Sequence, residues 1–350
     1  MANILITGGS GYLGGTLLDQ LKQIPLPPHG TIYALVRSEE QASRVRECYG
    51  AEPLQLNLSD QGSLTETLLA KKISVVFFLI DAIKADAQLL LIQALAEVGK
   101  QLSVQTHFLH TTGAKLFSSH AGHPTDRVLS DAEKDLYRIQ KTSRSPFPPM
   151  QQALVTNSQI IEAAEARGVR SYIFIPCIVY GQGTGFGNYT SIQTVAVIQA
   201  ARDLRRVYKV DSARAVWPVS HVHDTTALYI QILRKLLSND DIPHNREGYY
   251  LASSGTVAWE DIYSSIAEAM AKRGFVDNAS VVQADEEALA KMGTALECPA
   301  AFVPVQLGGT CTLAADRGKS IGWRPSHPAD HILETAGDEV DVVLGYFGSK

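Results

Sequence analysis

The sequence predicts an α/β protein with a doubly wound parallel Rossmann sheet and a smaller C-terminal substrate-binding part. Two observations support this prediction. Over the first 120 residues, short apolar runs alternate with longer amphipathic segments, which is the pattern of repeated βαβ units. A glycine-rich loop, ITGGSGYLGG at 6–15, follows the first apolar run directly and opens the first amphipathic segment. Such a loop is typical of the first strand and helix of a dinucleotide-binding fold.

The elements of the N-terminal half follow one another in strict alternation. Strands are predicted in NILITG, TIYALVR, PLQLNLSD, ISVVFFLID, THFLHTTG and SYIFIP, and helices in LGGTLLDQLKQI, EEQASRVRECYG, GSLTETLLAKK, DAQLLLIQALAEVGK and MQQALVTNSQIIEAAEARG. ISVVFFLID is almost entirely apolar, as expected of a central strand buried on both faces. Further helices are expected near 191–206, at 225–237 and from Trp259. We therefore expect a Rossmann domain over 1–180 and a mainly substrate-binding part over 181–350, with some segments of the latter returning to the sheet.

The composition restricts the function. With 45% hydrophobic and 19% charged residues and a net charge of −5, the chain is typical of a globular protein. Because no basic stripe is interleaved with aromatic residues, we expect no nucleic-acid partner. The N-terminus, MANILITGG, has no charged leader segment and few apolar residues, so we expect no membrane partner and a cytoplasmic protein. The four cysteines are scattered without C-x-x-C spacing, and we expect no metal site.

The glycine loop predicts the phosphate-binding part of a nucleotide site. Gly8 permits a tight turn, Gly11 allows the backbone to approach a pyrophosphate, and Gly14 allows close packing of helix and strand. The helix N-terminus then faces the phosphates. The cofactor contacts predicted here are Thr7, Gly8, Ser10, Gly11, Tyr12, Leu13 and Gly14.

The end of the second strand favours NADP(H) over NAD(H). An acidic residue at this position would accept the ribose hydroxyls, whereas a basic residue would bind a 2′-phosphate. The strand ends in LVRSEEQ, so Arg37 and Ser38 occupy the position. NAD remains the alternative, because Arg37 can also stack on the adenine of either cofactor.

Four motifs together resemble one family, the extended short-chain dehydrogenase/reductases, also called the NAD-dependent epimerase/dehydratase family. They are the glycine loop, IPCIVYGQG at 175–183, VSHVHD at 219–224 and IGWRP at 321–325. The resemblance implies a seven-stranded parallel sheet, a small-molecule substrate and a homodimer formed by two Rossmann helices, unless segment 118–149 blocks that surface. It also implies further cofactor contacts at Asn57, Leu58, Leu79, Ile80, Pro176 and Val179.

Members of this family usually exchange a proton through a tyrosine, assisted by a lysine one helical turn later and by a serine or threonine. Thr112 ends the fifth strand, and YRIQK at 137–141 supplies Tyr137 and Lys141 at the family's usual distance from it. Counting back from Gly168 instead places the pair at Pro149 and Ala153. The prolines of SPFPP separate YRIQK from that helix, so Tyr137 and Lys141 are expected on a separate turn or loop.

Other polar residues are candidates for the site. Asp81 follows the fourth strand and could be a general acid or base, or could instead cap the next helix. Asn157 lies on the helix that should carry the usual pair, where its amide could orient cofactor or substrate. The remaining predicted substrate contacts are Asn188, Tyr189, Trp217 and His221.

Three functional hypotheses follow. The leading one is an NADP(H)-dependent oxidoreductase or epimerase-like enzyme that acts on a small hydroxyl or carbonyl substrate, with Tyr137, Lys141 and Thr112 at the reacting centre. The second keeps the nucleotide as a structural group and assigns the pocket an isomerisation, elimination or cyclisation that uses Asp81 or a histidine. The third is a module that senses the redox state of a dinucleotide without turnover.

Overall fold

A parallel sheet occupies the centre of the protein. The structure, a computed structural model, describes residues 1–348. Its strands are β1 Asn3–Ile6, β2 Ile32–Leu35, β3 Glu52–Leu54, β4 Ile73–Phe78, β5 His107–Thr111, β6 Leu129–Ser130, β7 Arg170–Pro176, β8 Ile178–Tyr180, β9 Val207–Lys209, β10 Val216–His221, β11 Tyr249–Ala252, β12 Gly255–Ala258, β13 Val281–Gln283 and β14 Leu313–Ala314. Within the described residues seven of them form the main sheet, in the order β11-β7-β5-β4-β1-β2-β3, with every pairing parallel.

Helices connect these strands and cover both faces of the sheet. They are α1 Tyr12–Leu21, α2 Glu39–Tyr49, α3 Gln61–Ala70, α4 Asp86–Leu102, α5 Leu136–Thr142, α6 Pro148–Ala166, α7 Gln193–Leu204, α8 Val222–Leu237, α9 Trp259–Lys272, α10 Glu286–Ala295, α11 Val303–Leu307, α12 Arg317–Ser320, α13 His331–Glu334 and α14 Ala336–Gly348. Helices α3, α4 and α6 pack side by side, and α1 contacts α2 and α8. Because parallel crossovers are right-handed, these two groups lie on opposite faces. The predicted doubly wound Rossmann fold is confirmed.

The core lies between the sheet and these helices. Every residue of β4 is buried, and β5, its neighbour, is buried along its whole length. The prediction of a central strand in ISVVFFLID is therefore confirmed. The predicted strand PLQLNLSD is wrong in length, because β3 ends at Leu54. Asn57 starts a turn there, since its side-chain oxygen accepts a hydrogen bond from the Ser59 backbone at 3.1 Å.

The second half of the chain both extends the main sheet and builds smaller ones. Strand β8 follows β7 almost directly and pairs with β10, which also pairs with β12. Strand β11 returns to the main sheet beside β7. The division at residue 180 stays a prediction. None of the helices in the described part of the chain has both the length and the apolar character needed to cross a bilayer.

Segment 118–149 contains the short helix α5, where the sequence predicted a separate turn or loop. YRIQK forms most of α5, and residues 143–147 separate this helix from α6. Helix α6 then begins with two prolines, Pro148 and Pro149, which are favourable in a first turn because its N–H groups have no intrahelical acceptor. The predicted separation of YRIQK from the long helix is confirmed.

Candidate active site

One large cavity opens at the carboxyl edge of the main sheet. Its volume is about 940 Å³, at the upper end of the range for small-molecule sites. It is lined by the glycine loop, by residues that follow β2, β4, β5 and β7, by the start of α6, and by Trp217 of β10. Ligands of open α/β sheets bind at this edge. The predicted site residues that line the cavity are Gly8, Ser10, Gly11, Tyr12, Leu13, Gly14, Arg37, Leu79, Ile80, Asp81, Thr112, Pro176, Val179, Asn188 and Trp217.

The glycine loop forms an anion cradle. Gly8 has φ of +74°, a conformation that side chains disfavour, and a Cβ on Gly14 would lie 2.3 Å from the Gly8 carbonyl oxygen. Gly11 caps α1 without a side-chain hydrogen bond. The first N–H groups of the helix therefore have no side-chain cap and face the cavity, which suits a phosphate group. The Thr7 hydroxyl accepts from the Leu79 backbone at 2.7 Å and so joins the ends of β1 and β4 beneath the loop.

A second glycine-rich segment, residues 181–190, lies against the cradle; we call it the strap. Gly187 and Asn188 donate backbone hydrogen bonds to the Ser10 carbonyl at 2.8 and 3.1 Å. A Cβ on Gly185 would lie 2.2 Å from the Gly11 carbonyl oxygen, so only glycine allows this approach. These contacts pack the strap on the glycine loop.

A buried carboxylate on the last helix holds the strap. Glu339 of α14 accepts the backbone N–H of Gly181 at 2.8 Å and the hydroxyls of Ser191, at 3.1 Å, and Thr194. Burial raises the pKa of this carboxyl, although the three hydrogen bonds oppose the effect. Sequence reasoning missed Glu339, because nothing in its local sequence distinguishes it from a surface acid.

The adenosine end of the cavity contains an exposed cation. Arg37 lines the cavity, and its guanidinium forms no ion pair with any residue among 1–348. Ser38 instead caps α2 by accepting from the Gln41 backbone at 3.2 Å. Three predicted cofactor contacts lie outside the cavity lining, namely Ser38, Asn57 and Leu58. Their contact with a cofactor stays a prediction, which their positions do not support.

Thr112, which directly follows β5, combines a place in the cavity lining with a buried, unpaired hydroxyl. Thr112 lines the cavity and is 8% exposed, and its hydroxyl has no hydrogen-bond partner in the described chain. Such an atom is suited to a ligand. His110 and Asn157 are fully buried, and their side chains are close to each other without a hydrogen bond of good geometry to any residue among 1–348. Burial lowers the pKa of His110 to about 4, and Asp81 and the Asn157 amide partly oppose this. Asn157 does not reach the cavity lining.

Tyr137 and Lys141 are not brought to this cavity. The Tyr137 hydroxyl donates a 2.5 Å hydrogen bond to the carboxylate of Glu162 on α6, and the Lys141 ammonium binds the same oxygen. Burial and the Glu162 carboxylate raise the pKa of Tyr137, the opposite of what proton transfer near neutral pH needs. The hypothesis that this pair acts on substrate thus has no support from the pair's position.

The wall where the family pair would stand is apolar. Pro149, Met150 and Ala153 of α6 line the cavity, at and around the two positions obtained by counting back from Gly168. The third helical turn on this face carries Asn157, buried behind the wall. Proton transfer at this wall therefore requires a group from another element.

Asp81 both caps a turn and lines the cavity. Its Oδ1 accepts the backbone N–H groups of Ile83 and Lys84 at 2.7 and 3.1 Å. Its Oδ2 accepts no hydrogen bond from residues 1–348. The expectation that Asp81 caps the next helix is wrong, because α4 begins at Asp86 with Ala85 as its N-cap and Asp81 instead closes the turn before it. Asp81 still lines the cavity.

Sequence reasoning missed Lys115, which lines the cavity three residues after Thr112. Its ammonium donates one long hydrogen bond, 3.4 Å, to the Gln306 carbonyl and forms no ion pair within the described residues. Burial lowers the pKa of Lys115 to about 8. The only signal in the sequence was a lysine directly after a predicted strand end.

Besides Asn157, two of the predicted substrate contacts lie outside the cavity lining. The ring of Tyr189 packs edge-on against Tyr346 of α14. His221 stacks on His327, with ring centroids 4.1 Å apart, and His331 is next to both. No group of three potential ligands in residues 1–348 has the arrangement of a metal site. Further cavity residues that sequence reasoning missed include Cys177, Thr190, Ile192, Gln193, Phe302 and Val305.

Comparison with solved structures shows the same fold at low identity. UDP-glucose 4-epimerase of Thermotoga maritima, solved with UDP-glucose, has a TM-score of 0.64 and 13% identity, with 99% of both chains covered. The dTDP-glucose 4,6-dehydratase DesIV of Streptomyces venezuelae, solved with NAD, has a TM-score of 0.64 and 13% identity, with 99% of this chain and 98% of that chain covered. The PbgP3 protein of Burkholderia pseudomallei has a TM-score of 0.65 and 12% identity, with 98% of both covered.

At the level of sequence, no curated protein matches the chain. A family model does match, over residues 4–243, which include the glycine loop, the strand that ends at Thr112 and the strap. The match covers well over half of the chain. The chain therefore belongs to the NAD dependent epimerase/dehydratase family and is an enzyme of that family.

Proposed function

We propose that the cavity binds NADP(H) and a small hydroxyl or carbonyl substrate, and that the enzyme is an oxidoreductase or epimerase-like catalyst. One observation supports this most directly: the glycine cradle and Thr112, whose buried hydroxyl has no hydrogen-bond partner in the described chain, belong to the lining of the same cavity. When bound, the nicotinamide cofactor would supply hydride chemistry at the substrate carbon. The backbone of the glycine loop would hold its phosphates, and Arg37 would bind a 2′-phosphate.

In this proposal two side chains would act on the substrate. The Thr112 hydroxyl would donate a hydrogen bond to the reacting oxygen, since no described residue accepts that donor. The Asp81 carboxyl, with one oxygen uncommitted, is the candidate proton acceptor or donor. Tyr137 and Lys141 would contribute only after α5 moves, because both now bind Glu162.

A second candidate function is favoured by the wall of Pro149 and Ala153. If the usual pair is lost, the dinucleotide can be structural, and the cavity can catalyse an isomerisation, elimination or cyclisation. Asp81 would move the proton in that reaction as well. In either case we also propose that the enzyme prefers NADP(H), forms a homodimer and is located in the cytoplasm.

The test begins with cofactor binding. Titration with NADPH and NADH, followed calorimetrically, is expected to show binding of both with tighter binding of NADPH. Consumption of NADPH is then measured with aldehydes and ketones, for the wild type and for the variants Thr112→Val and Asp81→Asn. The asparagine keeps the acceptor for Ile83 and Lys84 but removes the acid, so lost turnover with retained cofactor binding would support the assignment.

Product analysis separates the two candidates. A reduced product formed in step with NADPH oxidation supports the oxidoreductase. Conversion of a substrate to an isomer, with the amount of NADPH unchanged, supports the second candidate. Failure of both nucleotides to bind would contradict the proposal as a whole.

A further inference from the structure

We infer that the substrate is a small apolar molecule that carries a single carboxylate, and that Lys115 binds this carboxylate. The inference rests on the proposed function, because it treats the part of the cavity beyond the glycine loop as the substrate site. Its basis is the distribution of charge and apolar surface over that part of the cavity.

Charged side chains are sparse along the cavity. Of the residues described, those that line it with a charge are Arg37, Asp81 and Lys115. Arg37 follows β2 at the adenosine end, so Lys115 is the cation of the substrate part. Its ammonium has only the distant Gln306 carbonyl as a hydrogen-bond acceptor. A partly buried ammonium without a carboxylate partner is less favourable than a solvated one, and an anion in the cavity would stabilise it.

The surroundings of Lys115 are apolar. The walls of the substrate part are formed mainly by Leu116, Pro149, Met150, Ala153, Ile192, Trp217, Phe302 and Val305. Such walls bind hydrocarbon or aromatic surface, and the uncharged polar residues of the lining near them are Thr111, Thr112, Asn188, Thr190 and Gln193. The replacement of a Tyr and Lys pair by Pro149 and Ala153 makes the wall of α6 part of this apolar surface.

The same charges argue against a nucleoside diphosphate sugar. A pyrophosphate carries two or more negative charges and usually binds to arginines that contact it in pairs of hydrogen bonds. Within residues 1–348 no arginine lines the substrate part of the cavity. A single lysine on an apolar wall matches one carboxylate attached to an apolar body. Asp81 is held by the turn after β4 and does not contribute to the lowered pKa of Lys115, which burial alone explains.

Binding measurements with three probes test this inference without turnover. The probes are 3-phenylpropanoate, its neutral isostere 3-phenylpropanamide, and UDP-glucose, titrated calorimetrically and through quenching of tryptophan fluorescence, since Trp217 lines the cavity. We expect the carboxylate to bind about tenfold more tightly than the amide, as a charged hydrogen bond allows, and more tightly than UDP-glucose.

Variants assign the effect to one residue. Lys115→Met is expected to remove the preference for the carboxylate, Lys115→Arg to retain it, and the exposed control Lys134→Met to leave it unchanged. Equal binding of carboxylate and amide to the wild type, or tighter binding of UDP-glucose, would overturn the inference. NADPH binding is measured on the same proteins. If NADPH fails to bind while the carboxylate preference persists, the proposed function fails and the carboxylate site stands.

Discussion

The hydroxyl of Tyr137 donates a 2.5 Å hydrogen bond to Glu162, and the ammonium of Lys141 binds the same carboxylate oxygen. The residues that resemble the family's proton-transfer pair thus bind a carboxylate outside the cavity lining. The three groups join α5 to the outer side of α6. Their geometry is that of a structural contact between two helices.

Substitution of Tyr137 by phenylalanine tests this assignment. Tyr137→Phe is expected to lower the free energy of unfolding by about 1 kcal/mol, the usual contribution of one hydrogen bond, and to leave the dissociation constant for NADPH unchanged. Thermal unfolding and calorimetric titration measure the two quantities. Loss of turnover by more than about a hundredfold, the scale of general acid–base catalysis, would show instead that α5 moves and that the sequence hypothesis is correct.

The proposed preference for NADP(H) rests on Arg37 and can be tested by removing its side chain. The variant Arg37→Ala is expected to bind NADPH about ten- to a hundredfold more weakly, because a charged hydrogen bond to the 2′-phosphate is lost. Its affinity for NADH should change little. Arg46→Ala, which changes an exposed arginine of the following helix α2, is the matched control. Equal losses of affinity for NADPH and NADH would mean that Arg37 stacks on adenine in both cofactors.

Because the strap and the glycine loop are in close contact, substitution of Gly185 should lower both stability and NADPH affinity. Gly185→Ala would place a methyl group against the Gly11 carbonyl, so we expect a loss of about 1–3 kcal/mol of stability from overpacking and weaker NADPH binding. Gly62→Ala, on the exposed surface of α3, should instead stabilise the protein by up to about 1 kcal/mol through helix propensity. Wild-type behaviour of Gly185→Ala would show that the strap is free of the loop in solution.

Glu339 should make stability depend on pH. Burial raises the pKa of its carboxyl in the folded protein, so the folded state binds more protons than the unfolded state between the ordinary pKa and the raised one. The free energy of unfolding of the wild type, relative to Glu339→Gln, should therefore fall as pH rises through that interval. Urea unfolding of both proteins across the acidic range measures the difference. A constant difference would contradict the raised pKa.

Removal of the whole Glu339 side chain tests its hold on the strap. Glu339→Ala leaves the buried N–H of Gly181 without its acceptor, at an expected loss of about 1–3 kcal/mol. Hydrogen exchange at Gly181 and Gly187 should accelerate more than exchange in β4. Uniform acceleration across the protein would indicate general destabilisation instead.

The lowered pKa of Lys115 predicts the pH range over which the carboxylate binds. Because burial lowers its pKa to about 8, the ammonium form that binds an anion is complete below that value and is lost as pH rises through it. The dissociation constant of 3-phenylpropanoate should be constant up to about pH 7 and rise up to tenfold for each pH unit above 8. Titrations at several pH values measure the effect, and Lys115→Arg should abolish it. A wild-type affinity that stays constant to pH 10 would mean that the amine is solvated.

Periodicity and spacing determined the fold and the cofactor end of the site. Alternating apolar runs are a local property, and a parallel sheet with covered faces is the architecture that buries them. The glycine loop could also be identified from the sequence. Gly8 and Gly14 are required by steric contacts that depend only on the strand, turn and helix around them. The ends of β2 and β5 then placed Arg37 and Thr112 at the cavity edge.

Tertiary structure alone decided which polar residues face the cavity. Tyr137 and Lys141 have the spacing of a proton-transfer pair, yet both bind Glu162 on α6. The sequence predicted a separation of the two residues from that helix and gave no sign of this contact. Lys115 lines the cavity, and its ammonium contacts the carbonyl of the distant Gln306. Glu339 binds Gly181 of the strap from the last helix. Spacing along the chain fixes which residues share a helical turn or strand face. It does not fix which distant element packs against them, and that packing sets their burial, their partners and the charge they present to a ligand.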